Sequence, residues 1–196
     1  MSESVRMVVV LSVIAMVSAA VLAVVYGKTS VIIEENAARA LESSVLEVLP
    51  GTATVNIIRR EQNPLREEDP KEMREKEQKT TIIYQGVDAQ GRIIGYAFVG
   101  EGNGYGGAIR VLVGVDESTD QVINLKILNH SETPGLGSRV EEEGFRNQFV
   151  GKTAQDPIAV NQDINAISGA TISSRAVADA VRTALKDTVE LYRGGE

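Results

Sequence analysis

The chain has no cysteine and no tryptophan, and its only histidine is His130. Without cysteine it can form no disulfide, thiolate metal site, cysteine-ligated iron–sulfur cluster or thiol nucleophile. A single histidine likewise excludes a multi-histidine metal site and a haem held by two histidines. Redox or covalent chemistry on this chain therefore falls to an oxygen nucleophile or an organic cofactor. Positive charge is also in short supply: 20 Lys and Arg stand against 27 Asp and Glu, a net charge of −7. That balance argues against a nucleic-acid binder, which needs a concentrated basic surface. At 196 residues the chain has room for one modest domain and an accessory segment.

Charge is missing altogether from Met7 to Tyr26, MVVVLSVIAMVSAAVLAVVY, where the only small polar side chains are Ser12 and Ser18. A helix over these 20 residues is about 30 Å long, the thickness of a bilayer's hydrocarbon core. Small residues near Ser18–Ala23 would also suit a cleaved signal peptide. The run exceeds the roughly 7–15 apolar residues of such a leader, however, and only Arg6 is basic before it, so an uncleaved anchor is expected. The division is thus a short tail over 1–6, a transmembrane helix over 7–26 and a domain over 27–196. Glu3 and Arg6 cancel, so the whole net charge belongs to the domain. Arg6 on one flank and Lys28 and Arg39 on the other leave the orientation undecided by charge.

Beyond the anchor, Ser30 can cap a helix to about Leu49, with an apolar stripe of Ile33, Ala37, Leu41, Val45 and Val48 and a stop at Pro50-Gly51. Residues 52–58 read as a strand. Residues 59–79 carry 7 basic and 7 acidic side chains, and the Glu72/Lys76 and Glu75/Lys79 spacing predicts a solvated helix there. Strands are expected over 80–84, 92–99, 108–115 and 121–128, with a hairpin turn at Asp116–Asp120. The fold class predicted is α+β, an antiparallel sheet with flanking helices. Between two strands, Gly100-Glu101-Gly102-Asn103-Gly104-Tyr105-Gly106-Gly107 reads as a turn whose glycines would let the backbone approach a ligand.

Two segments carry chemistry. In Asn129-His130-Ser131-Glu132-Thr133-Pro134-Gly135-Leu136-Gly137-Ser138-Arg139, Pro134 restricts one φ and Gly135 and Gly137 relax two others, so Leu136 is presented at a loop tip suited to a flat ring. The same residues would equally serve as a strand-to-helix connection, with the helix over Glu141–Phe149 and Phe145 and Phe149 on one face. His130 could donate a proton, but a lone turn histidine is more often incidental. In Ala166-Ile167-Ser168-Gly169-Ala170-Thr171-Ile172-Ser173-Ser174-Arg175, a short strand is expected to lead into a helix capped by Ser173 or Ser174. Val177, Val181, Leu185, Val189 and Tyr192 form its apolar stripe. Small residues at a helix start expose N–H groups and a positive dipole end, an anion site to which Ser168 and Thr171 add hydroxyls; a plain capping turn is the alternative.

Taken together, Ser168-Gly169-Ala170-Thr171-Ile172-Ser173-Ser174 and the upstream Glu132-Thr133-Pro134-Gly135-Leu136-Gly137 resemble the covalent FMN-binding domain of the G subunits of Rnf electron transport complexes. The C subunit of the sodium-translocating NADH:quinone reductase shares that domain. The resemblance implies an FMN joined by a phosphoester to Thr171, made by a separate flavin transferase with FAD as donor. It implies that Ser168, Gly169 and Ala170 shape the phosphate pocket and that Glu132, Thr133, Leu136 and Gly137 approach the ring. It further implies a single-pass protein of the cell (inner) membrane, in contact with lipid, with its bulk on the extracytoplasmic side. Such a protein relays electrons among other membrane subunits of a ferredoxin:NAD oxidoreductase and has no independent catalytic residue and no metal. The family commonly has Asp three residues before the motif's first residue, where this chain has Asn165, with Asp163 two residues earlier. An alternative of another class is a membrane-anchored flavin sensor outside a respiratory complex, and a further one is an anchored structural protein without cofactor.

Overall fold

A computed structural model describes residues 3–61 and 80–193. The chain divides into two compact units, Met1–Leu41 and Glu42–Glu196. The first is helical: α1 runs Glu3–Val48 as one helix. Within it, Arg6–Gly27 is long and apolar enough to cross a membrane, and none of that stretch is buried by protein. The helix does not restart at Ser30 as expected. A single Gly27 costs an otherwise helix-forming run only about 1 kcal/mol, too little to break it.

The second unit is built on an antiparallel meander of β1 (Thr54–Glu61), β2 (Thr80–Val87), β3 (Ile93–Asn103), β4 (Ala108–Asp116) and β5 (Val122–Asn129), in that spatial order. All five strands predicted between residues 52 and 128 are present. The charged segment expected to be helical over 59–79 lies outside the described residues from 62 onward. The hairpin at Asp116–Asp120 forms because the Asp116 carboxylate accepts from the N–H and hydroxyl groups of both Ser118 and Thr119, closing an Asx turn.

β4 is almost continuously apolar because both of its faces are covered. Ile109, Val111, Val113 and Val115 are buried in one core with α3 (Thr171–Arg193), while on the other face Gly114 abuts Val48 at the end of α1, where Val45, Val48 and the following Leu49 are fully buried. Each such Val or Leu contributes about 1.5–3 kcal/mol through burial. On α3 the predicted stripe is found at Val177, Val181 and Leu185, all fully buried. The side chains of Ile33, Ala37, Val189 and Tyr192 lie outside the described set.

The glycine-rich stretch departs from its expected reading. β3 continues to Asn103, so only Gly104–Gly107 turns, closed by Gly104 N–H to Gly107 O at 2.8 Å. Gly100 and Gly102 lie in the strand itself, where a Cβ would stand 2.3 Å from the Ala180 carbonyl oxygen and 2.0 Å from that of Ala176. What approaches these two glycines is α3, whose Ala176, Ala180 and Ala184 are buried along the same side.

Between sheet and α3, Gly137–Glu141 is a 3₁₀ turn, Glu143–Arg146 a single α turn (α2) and Asn147–Phe149 a second 3₁₀ turn. The expected helix over Glu141–Phe149 is therefore three short pieces. Phe145 and Phe149 do share a face, their rings edge-on with centroids 5.5 Å apart. The expected short strand before α3 reduces to one bridge, Val160 to Ile164.

Candidate functional site

α3 begins at Thr171 and not at the serines expected to cap it. Ile167-Ser168-Gly169-Ala170 forms a tight turn closed by Ala170 N–H to Ile167 O at 2.9 Å, and Gly169 at φ +79° supplies the conformation its third position requires. Ser174, fully buried in the first helical turn, locks this turn in place. Its Oγ accepts from Ile167 N–H at 3.0 Å and donates to the Ala170 carbonyl at 2.9 Å. Among the described residues, the N–H groups of Thr171, Ile172 and Ser173 meet no protein acceptor, as a helix start dictates. Thr171 is exposed, so its hydroxyl stands beside three unpaired donors at the positive end of a 23-residue helix.

Across from it, the loop after β5 folds over itself. Thr133 O accepts from Leu136 N–H at 3.1 Å and Ser138 N–H at 3.3 Å, and Ser138 Oγ accepts from Gly135 N–H at 2.9 Å, with Gly135 at φ +76°. Leu136 is left half exposed at the tip, as the sequence predicts. Gly137 has a different reason from the one expected. Its φ is unremarkable, but a Cβ there would stand 2.4 Å from Glu132 Oε2 and 2.7 Å from Ser173 Oγ.

Helix start and loop enclose a cavity of about 540 Å³ lined by Tyr105, Glu132, Thr133, Leu136, Gly137, Gly169, Ala170, Thr171, Ile172 and Ser173. That volume lies within the roughly 300–1,000 Å³ typical of small-molecule sites. Seven of the eight residues singled out from the sequence line it. Ser168 is exposed and is not in the lining. Glu132 lines the cavity while its carboxylate is engaged by protein. Oε1 accepts from Gly106 N–H at 2.8 Å and Oε2 from the Ser173 hydroxyl at 2.5 Å. His130 is bound into the scaffold, its Nδ1 accepting Glu132 N–H at 3.1 Å and its Nε2 lying 3.0 Å from Glu141 Oε1.

Tyr105, Ile172 and Ser173 also line the cavity and are not among those eight, Ser173 being expected only as a helix cap. Tyr105, 76% exposed among glycines, is an aromatic side chain that no core requires, and that exposure only becomes visible once the turn is folded. Asp163 also has a structural role. Burial pushes its carboxyl up, but N–H donation from Ala159, the Lys152 ammonium 2.8 Å away and N–H donation from Ile158 outweigh this and hold it below the ordinary aspartate value. It thereby secures Ile158, a buried β-branched residue at the unfavourable φ of +41°. Asn165 exchanges backbone hydrogen bonds with the Gln148 amide.

A cleft that presents Leu136, Ile172 and Tyr105, with an exposed hydroxyl and unpaired N–H groups at one end, suits a ligand with a flat ring and a phosphate. Known proteins agree with that chemistry. Residues 104–186, which contain the whole cavity lining, match a family described as the FMN-binding domain. The chain is 30% identical, over 98% of its length and 97% of the relative's, to the G subunit of the ion-translocating oxidoreductase complex of Methanosarcina acetivorans. It is 40% identical to the G subunit of the proton-translocating ferredoxin:NAD(+) oxidoreductase complex of Clostridium ljungdahlii, over 54% of this chain and 58% of that one. The crystal structure of NqrC from Shewanella oneidensis shares the fold, with a TM-score of 0.58, 18% identity, and coverage of 73% of this chain and 89% of that one.

Proposed function

This chain belongs to the family of G subunits of ion-translocating oxidoreductase complexes, and from that membership we propose that it relays electrons through FMN held covalently on Thr171. The observation that carries the reading is the placement of Thr171: exposed, first in α3, and on the rim of the 540 Å³ cavity. A phosphoester there would be held by the unpaired N–H groups of residues 171–173, beside the turn at Gly169. Leu136, Ile172 and Tyr105, each at least half exposed, present apolar surface at the cavity for a ring to cover.

In maturation the Thr171 hydroxyl gives up its proton and gains a P–O bond as the pyrophosphate of FAD breaks and AMP leaves. A separate flavin transferase does this work, and the exposure of Thr171 lets such an enzyme reach it. The bound flavin supplies one- and two-electron chemistry that a chain without cysteine cannot supply itself. Attachment through the phosphate leaves the ring's electronics to be tuned by contacts, and the tether keeps the cofactor at high effective concentration.

The apolar helix Arg6–Gly27 anchors the protein in the membrane, with the domain on the extracytoplasmic side. Its electron partners are the other membrane subunits of an Rnf-type ferredoxin:NAD oxidoreductase. The test is co-expression of the full chain with a flavin transferase, followed by complete denaturation and in-gel fluorescence. The wild-type band fluoresces and Thr171→Ala is dark. A dark wild-type band, or fluorescence that survives Thr171→Ala, refutes the covalent assignment.

A further inference from the structure

The Glu132 carboxylate is the one buried acidic group in the cavity wall. It is 6% exposed, and both oxygens accept hydrogen bonds, from Gly106 N–H and from the Ser173 hydroxyl. Among the described residues, no Lys or Arg pairs with it. Its counter-charge is the positive end of α3, to whose first turn Ser173 belongs. Two glycines make room for it: a Cβ at Gly104 would stand 2.3 Å from Oε1, and one at Gly137 would stand 2.4 Å from Oε2. The β3–β4 turn, the loop after β5 and the start of α3 all wall the cavity, and all three meet on this carboxylate.

We propose that Glu132 is a positioning residue that also lowers the reduction potential of the cavity's flavin, by fixing a negative charge in the wall. The inference rests on the reading that the cavity holds a flavin covalently attached at Thr171. Uptake of two electrons with one proton leaves the ring system one unit more negative, and a fixed anion nearby opposes that change. A 540 Å³ cavity is about 10 Å across, and at an effective dielectric of about 20 a unit charge at that distance shifts the oxidised-to-reduced ratio about tenfold. Gln keeps the size of Glu and removes the charge. Asp keeps the charge and shortens the reach to Ser173 and Gly106.

The experiment uses the full chain, matured with the transferase, as wild type, Glu132→Gln and Glu132→Asp. Denaturing gels come first; then each protein is titrated with dithionite against a reference dye. Glu132→Gln favours the reduced form about tenfold over wild type, about 30 mV for a two-electron couple, while Glu132→Asp stays within about threefold. A Gln variant at the wild-type potential overturns the assignment, and so does an equal rise in both variants, which would make shape and not charge the cause. If Glu132→Gln does not accumulate folded, Ser173→Ala replaces it. Losing the hydroxyl leaves the carboxylate less screened and lowers the potential at least twofold in the same ratio, and an unchanged potential overturns the proposal. A wild-type band without fluorescence refutes the covalent reading, and this inference with it. A fluorescent wild type with unmoved variant potentials refutes this inference alone.

Discussion

Substituting Gly102→Ala should unseat α3, because the closeness of α3 to β3 is set by atoms that cannot step aside. The new Cβ would stand 2.0 Å from the Ala176 carbonyl oxygen and 2.8 Å from its carbon. Ordinary contact begins near 3.4 Å, so a gap of more than about 1 Å must open between strand and helix. The atoms struck are helix backbone, so no rotamer change relieves the clash, and Val177, Val181 and Leu185 lose packing as the helix lifts. Overpacking of this kind costs about 1–3 kcal/mol, and a backbone clash belongs at the upper end. For a domain of this size about 3 kcal/mol lowers the melting midpoint by roughly 6–12 °C. The assay is thermal melting of the full chain in detergent, followed by circular dichroism. Gly144→Ala is the control: it lies in α2 with nothing within 4 Å of its Cβ, and it should melt within about 2 °C of wild type. Ala176→Gly should not rescue Gly102→Ala, because the clashing atom is a carbonyl. A Gly102→Ala midpoint equal to that of the control, or full rescue by Ala176→Gly, refutes the reasoning. Because α3 carries Thr171, the same variant should also load less flavin.

Two further outcomes follow from hydrogen bonds around the site. Ser174→Ala strips the Ile167 N–H of its acceptor at a fully buried position, so urea unfolding should show a loss of about 1–3 kcal/mol, and Ser174→Thr should not reproduce it if the hydroxyl keeps its place. The Asp163 carboxyl is held below its ordinary value in the folded chain, so its contribution is present above about pH 4 and is lost as pH falls through the lower folded value. Asp163→Asn should therefore be less stable than wild type at pH 7 and should show a flatter acid limb in urea midpoints between pH 6 and 3. Parallel limbs would show that the folded structure gives this carboxyl no advantage.

Much of the domain was legible along the chain because its signals are local. The strands over 80–128 announced themselves by short apolar, β-branched runs set off by turn residues, and the charge-free run over 7–26 by its composition alone. The Leu136 loop and the Thr171 turn were found because proline, glycine and small residues constrain the backbone where they stand. Legibility failed where a residue's reason lies on another element. Gly100 and Gly102 read as a ligand-facing loop, yet they are small because Ala176 and Ala180 press on them from α3. Ser173 and Ser174 read as caps, yet their hydroxyls reach Glu132 and Ile167.

By itself, then, the sequence determined which chemistries are closed to this protein, where an apolar helix runs, and which threonine ends a turn of small residues. Composition and near-neighbour backbone preference suffice for these. Only the tertiary structure decided that Thr171, Leu136 and Tyr105 share one cavity, and that a buried carboxylate from residue 132 joins its three walls. Those relations span separations of 26 and 41 residues. They exist because the helix, resting on two glycines of β3, brings its first turn to the loop that follows β5.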